Sequence, residues 1–131
     1  VKKIVLLIIF ALTLTGCTSM CREFSIQATP GTENIKKNIG SLTGDSVRVT
    51  SLKTHYVGTL MQGAINFHNS NSTTQNISYE VTWYDNEGFQ INQNPNILIA
   101  VLDPNADRQV TVIAPNSRAD NMKVKLCMQA N

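Results

Sequence analysis

Histidine is almost missing from this chain, with two copies in 131 residues, and tryptophan occurs once. Cysteine is limited to three copies and aromatic residues to 6% of the total. So few His and Cys work against a zinc centre, which needs three or four converging ligands and usually a closely spaced pair. His55 and His68 have no such neighbours and read as stray surface side chains. There is no Gly-x-Ser-x-Gly elbow to activate a serine and no glycine loop that would cradle a phosphate. Acidic residues stand in turns, Asp85 with Glu87 and Asp103 with Asp107, where capping the turn is their ordinary role. Each turn also offers too few oxygens for calcium. Basic residues form no block beyond Lys36-Lys37, which argues against nucleic acid as a partner. The expectation is a protein without catalytic residues, metal or cofactor.

Long apolar runs are scarce as well. The longest, Ile4 to Leu12, is about half of the roughly 20 residues needed to span a bilayer. It follows Lys2 and Lys3 and leads into Leu14-Thr15-Gly16-Cys17, the three-part form of a secretory signal. Those last four residues resemble the bacterial lipobox, which is cut before a cysteine that carries lipid. Residues 1–16 are therefore expected to be the signal peptide and Cys17 the lipidated residue. Met20 is too large to precede a competing lipid site at Cys21. With the two signal lysines removed, nine basic residues face nine acidic ones, so the remainder is close to neutral.

Alkylation of Cys17 leaves Cys21 and Cys127, an even number of thiols in an exported, oxidising compartment. Either they form a disulfide that closes nearly the whole folded region, or they are two unrelated thiols. Spacing alone leaves both readings open.

Residues 17–45 are polar and aperiodic, broken by Pro30, Gly31, Gly40 and Gly44. They read as the lipidated N-terminus and a flexible tether, compatible with a short helix or edge strand inside it. A tether of that length reaches about 30 Å, and a Cys21–Cys127 bond would shorten it to the few residues after Cys17. From residue 46 to 131 the pattern has period two. Val47 and Val49 alternate with Arg48 and Thr50, Met61 to Phe67 repeat the pattern, and Ile77, Tyr79, Val81 and Trp83 give it most cleanly. Phe89 and Ile91 suggest a return strand after the turn at Gly88. Ile97 to Leu102 is continuously apolar, as in a strand buried on both faces or one crossing between layers. Val110, Val112 and then Met122, Val124 and Leu126 complete the series. The expected fold is an all-β antiparallel sandwich of six to seven strands, with Trp83 as its central core aromatic.

Three segments carry a family resemblance. They are Met61-Gln62-Gly63-Ala64-Ile65-Asn66-Phe67-His68-Asn69, Tyr79 through Trp83-Tyr84-Asp85-Asn86-Glu87-Gly88, and Val112-Ile113-Ala114-Pro115-Asn116-Ser117-Arg118-Ala119. Together with the lipobox they resemble the YcfL-like family of small bacterial lipoproteins, a domain of unknown function. One departure is the lack of a second Trp after Gly88, where this chain has Asn94-Pro95-Asn96-Ile97. The resemblance implies an immunoglobulin-like sandwich facing the periplasm and brings no catalytic residues.

The functional expectation is a non-enzymatic module of the cell envelope, held to the membrane by lipid on Cys17 and binding or scaffolding an envelope protein. Thr18 after Cys17, rather than Asp, favours the outer membrane under the sorting rule of the lipoprotein class. An alternative is an inhibitor of a cell-wall enzyme that inserts the loop from Gln90 to Ile97. Loop asparagines 69, 71, 76, 86, 92, 94 and 96, beside Tyr84, are candidates for recognising glycan or protein backbone. Loop solubility is the simpler account of them.

Overall fold

A computed structural model describes residues 21–29, 31–41 and 46–128. The signal stretch and Cys17 lie outside them. The described chain forms eight strands: β1 (Cys21–Gln27), β2 (Asn34–Ser41), β3 (Val47–Val57), β4 (Leu60–Asn69), β5 (Gln75–Tyr84), β6 (Ile97–Leu102), β7 (Asp107–Ile113) and β8 (Asn121–Met128). They build two four-stranded sheets, ordered β1-β8-β5-β6 and β2-β3-β4-β7, with antiparallel pairing throughout. The all-β sandwich read from the sequence is the fold found, with eight strands instead of six or seven.

The two extra strands correct the tether. β1 places Phe24 and Ile26 in the core and pairs with β8 over its whole length. β2 exposes Ile35, Lys36 and Lys37 and is held by its ladder to β3 more than by burial. Two inward apolar residues in one strand, and an exposed edge in the other, leave almost no period-two signal. The folded region thus takes in Cys21–Gln27 and Asn34–Ser41 as well as the residues from 46 onward.

The core lies between the inward faces. Ile77, Val81, Trp83, Met122, Val124 and Leu126 of the first sheet meet Val47, Val49, Leu52, Met61, Ile65 and Phe67 of the second, each 7% exposed or less. Trp83 is buried, but toward one end of β5. Nearer the middle, the Phe67 and Tyr79 rings pack with centroids 6.1 Å apart. Gly63 has no room for a side chain: a β-carbon there would sit 2.5 Å from Met122 Sδ of the facing sheet and 3.2 Å from Val112 Cγ2 of the neighbouring strand. That packing explains the small residue in the midst of the Met61–Phe67 alternation.

β6 departs from expectation. It is an edge strand, with Ala100 and Leu102 buried and Ile97, Ile99 and Val101 facing out. The run is apolar on both faces, yet only one of them is covered. The return strand at Phe89 and Ile91 shrinks to a single bridge between Tyr84 and Gln90. Its place is taken by Asn92, whose side chain accepts from Trp83 N–H at 2.8 Å and donates to the Val81 carbonyl at 3.0 Å.

Pairing gives the sandwich two distinct ends. Cys21, the end of β8, the start of β5 and the end of β6 share one end, called proximal here. Across it runs the row Cys21–Cys127–Ser78–Ile99. Cys21 and Cys127 are joined by a disulfide, with Cα atoms 4.2 Å apart and 106 positions between them in sequence. Asn69 closes the same end. Fully buried, it donates to the carbonyls of Thr73, Asp103 and Leu102 at 3.0–3.2 Å and accepts from Asn71 N–H at 2.9 Å. The distal end carries the connections after β1, β3, β5 and β7.

Two stability predictions arise from this core. Replacing both Cys21 and Cys127 by Ser is expected to lower unfolding stability by roughly 4–5 kcal/mol, the chain-entropy value for so long a closed loop. Chemical denaturation without reductant measures it. Thr54 is 0% exposed and its Oγ1 has no hydrogen-bond partner. Thr54→Val is expected to raise the denaturation midpoint, by about 1 kcal/mol in stability, because it removes a buried hydroxyl that nothing satisfies.

Candidate functional site

Two connections build the distal cleft. The first follows β5, where Asp85 makes the turn: its Oδ1 accepts from Glu87 and Phe89 N–H, both at 2.9 Å. Gly88 closes that turn with φ at +87°, a conformation β-branched residues avoid. The second connection, Ala114 to Asp120, leaves β7 and returns to β8. It is pinned at Ala114, whose N–H donates to the Met61 carbonyl at 2.9 Å, and at Asp120, whose N–H donates to the Tyr84 carbonyl at 3.0 Å. Tyr56 OH donates to the Ala119 carbonyl at 3.2 Å from β3. Asn116 Oδ1 accepts from Arg118 N–H at 2.9 Å and sets the curl of the loop.

Between these walls is an open cavity of about 540 Å³, lined by Tyr56, Asp85, Asn86, Glu87, Ser117, Arg118, Ala119 and Asp120. It holds three carboxylates, one guanidinium, an amide and two hydroxyls. Burial raises the Asp120 carboxyl above the usual carboxylate range; Asp85 adds to the rise and a backbone N–H opposes it. Asp120 Oδ1 is buried without a hydrogen-bond partner. The Tyr56 phenol is raised too, mainly by burial and further by Asp120. Such a surface suits recognition of a polar segment with hydrogen-bond donors and a cation. Neither histidine and no cysteine lines it.

The other residues singled out from the sequence lie elsewhere. His55 pairs in register with Gln62 and His68 with Asp107, six positions apart along β4, or about 20 Å. His68 Nδ1 is 2.6 Å from Asp107 Oδ1 on the outer face of the second sheet. The Asp103 and Asp107 turn does not close on itself as a carboxylate pair. Among the described residues no group of three or more His, Cys, Asp or Glu gathers at metal-binding distance. Loop asparagines divide by role: Asn69, Asn71 and Asn92 bond the backbone, while Asn76, Asn86, Asn94 and Asn96 are exposed. The loop from Gln90 to Ile97 is tied down by Asn92 and by Gln90 Nε2, which donates to the Asn92 carbonyl at 2.5 Å.

Tyr56, Ser117, Arg118 and Asp120 were not legible as site residues. Ser117 and Arg118 carried a signal only as part of the segment from Val112 to Ala119 that bears the family resemblance, and Tyr56 and Asp120 carried none. Sequence spacing does not reveal that this segment would face the Asp85 turn.

Comparison with known proteins adds a family and a fold. A family model described as "Protein of unknown function (DUF1425)" matches residues 36–127. The chain is similar to the crystal structure of a DUF1425 family member from Shewanella sp. pv-4, at 18% identity and a TM-score of 0.60, covering 75% of this chain and 98% of that one. It is also similar to the Campylobacter jejuni protein cj0090, at 12% identity and a TM-score of 0.53, covering 60% of this chain and 82% of that one. No curated protein matches it.

The cleft predicts a pH-dependent stability. A carboxyl whose folded pKa lies above its unfolded value binds more protons when folded, so stability falls as pH rises through that window. Asp120→Asn is therefore expected to be more stable than the parent at pH 7. The gain should shrink below about pH 4, where Asp is protonated in both states. Urea unfolding at the two pH values measures this difference.

Proposed function

The chain belongs to the DUF1425 family, and from that membership we propose that it is a non-enzymatic binding or scaffolding module of the bacterial envelope, of the YcfL-like lipoprotein kind. It is anchored by lipid on Cys17, faces the periplasm from the outer membrane, and engages an envelope protein through the distal cleft. The observation that carries this reading is the convergence of signature segments. Asp85-Asn86-Glu87 and Ser117-Arg118-Ala119, far apart in sequence, line one cavity, and Met61 of the first segment holds its back wall through Ala114.

The polarity of the sandwich supports the same reading. Cys17 precedes Cys21 by four residues, a contour of about 14 Å at most. The disulfide holds Cys21 at the proximal end, so an anchor on Cys17 keeps that end near the bilayer. β5, ten residues long, separates that end from the cleft by about 30 Å. Tethering then leaves the cleft clear of the anchored end and raises its effective concentration for partners in the same envelope layer. Among the described residues no helix is long and apolar enough to cross a membrane.

The test is site-specific photocrosslinking in cells making the full chain. A photoreactive residue at Glu87 or Arg118 is expected to trap one discrete envelope protein, and one at Lys53, on the outer face of the second sheet, is expected to trap none. Absence of any adduct from both cleft positions would sink the binding reading. Cys17→Ser is expected to abolish fatty-acid labelling and release the protein from membranes. Persistence of labelling would sink the anchor.

A further inference from the structure

β6 has the sequence Ile97-Leu98-Ile99-Ala100-Val101-Leu102, without a charge or a proline. It is the edge of its sheet. Ile97, Ile99 and Val101 project outward and are 70%, 61% and 46% exposed. Native edge strands are normally blunted by lysine, proline, a bulge or a covering loop; β6 itself carries no lysine or proline, and Arg108 of β7 reaches its edge at the Val101 carbonyl. Three large aliphatic side chains in a line form the kind of exposed apolar patch that marks a contact surface.

The place of this stripe in the fold identifies what meets it. Ile99 shares a row with Ser78, Cys127 and Cys21, and Val101 pairs with Asn76 at the proximal limit of the sheet. Three inter-strand spacings, about 14 Å, separate Ile99 from Cys21. The three side chains run from Val101 at the proximal limit to Ile97 at the middle of the first sheet's outer face, opposite Glu80. Beyond Ile97 that face turns polar, with Lys123, Thr82 and Tyr84. A shallow hollow of about 210 Å³ joins the disulfide to Ile97 along Ser78, Glu80 and Lys125. The apolar stripe thus starts at the end nearest the proposed anchor and runs to mid-sheet, and the contour from Cys17 to Cys21 lets that edge lean onto the surface.

We infer that the β6 edge rests on the bilayer, with Ile97, Ile99 and Val101 entering its interfacial layer. This rests on the proposed lipid anchor at Cys17. A bilayer suits the edge better than an added strand. Arg108 Nη1 already donates to the Val101 carbonyl at 2.7 Å, so the free side is occupied where a partner strand would need it. Ile97 and Ile99 turn their N–H and C=O to the same side by the alternation of an antiparallel ladder. Headgroups and interfacial water can satisfy those groups while the side chains leave water. A second apolar patch, Val57, Leu60 and Ile113, lies at the distal end of the other sheet and serves as a control.

Depth-dependent fluorescence quenching tests the contact. Full-length lipidated protein with Ile99→Trp, and separately Ile97→Trp, is reconstituted into phosphatidylcholine vesicles containing acyl-brominated lipid. Emission from either is expected to be quenched about twofold or more beyond the parent, whose Trp83 is buried, and Ile113→Trp is expected to match the parent. Equal quenching at Ile99 and Ile113 would overturn the inference, since apolar adsorption would then have no orientation. No quenching at residues 97 and 99, with protein still floating with the vesicles, would overturn the contact and leave the anchor standing. Protein that fails to float would overturn the anchor and, with it, the contact. Concentration-dependent dimers blocked by the same substitutions would overturn it in favour of a second copy on β6.

Discussion

The bond between Cys21 and Cys127 is the constraint on which the molecule's orientation depends. It ties the first described strand to the last across one rung of the ladder. β1 is an edge strand that contributes only Phe24 and Ile26 to the core, a weak hold against fraying. Crosslinking at its first residue prevents peeling from the free end, the end on which a membrane anchor would pull. The same bond would fix which end of the sandwich stays near the proposed anchor, and the distance from that end to the cleft is set by strands of fixed rise.

Away from that bond, the domain is held by neutral polar groups more than by ion pairs. Lys123 and Glu23 meet at 3.1 Å on an exposed face, where such a pair contributes little. Asn69 and Asn92 are more consequential because each side chain substitutes for backbone. Asn69 gathers three carbonyls where β4 hands over to β5 and β6 ends. Asn92 extends the β5 ladder beyond the start of β6, so that Trp83 is covered without a full strand opposite it. This is a coherent solution for a chain with few charges: amides donate and accept, and so serve both sides of a backbone gap.

Strands β3, β4, β5, β7 and β8 were legible because each buries one face and wets the other, which writes a period of two into the sequence. β1 and β2 were not, since an edge can be held by its ladder alone while its side chains stay exposed. β6 was legible as a strand but not as an edge, because Ile97, Ile99 and Val101 carry no mark of what covers them. The cleft was half legible. Asp85 to Gly88 read as a turn and Ala114 to Asn116 as a break in the alternation, but their meeting depends on β5 and β7 lying in opposite sheets. That is a property of strand order, which local pattern does not encode. Tyr56 enters only because β3 passes behind the Ala119 carbonyl.

The unsatisfied polar atoms are not spread evenly, and their placement bears on the direction of function. Among the described residues, the buried side-chain atoms without a partner are Thr54 Oγ1, Asp120 Oδ1 and Asn121 Oδ1. Thr54 lies three positions from the distal end of β3, and the other two lie where the cleft loop joins β8. At the proximal end the buried Asn69 amide is fully bonded and the chain is covalently closed. A folded domain tolerates few buried orphans, and each one is a local loss of stability. Their concentration at one end means that end is less optimised as structure than the other. Asp120 shows why that matters: its buried oxygen, without a donor beside the cavity, is stabilised by whatever brings an N–H or a cation to it. The proximal end is closed covalently and by a fully bonded amide, whereas the distal end leaves buried polar atoms that the proposed partner could satisfy.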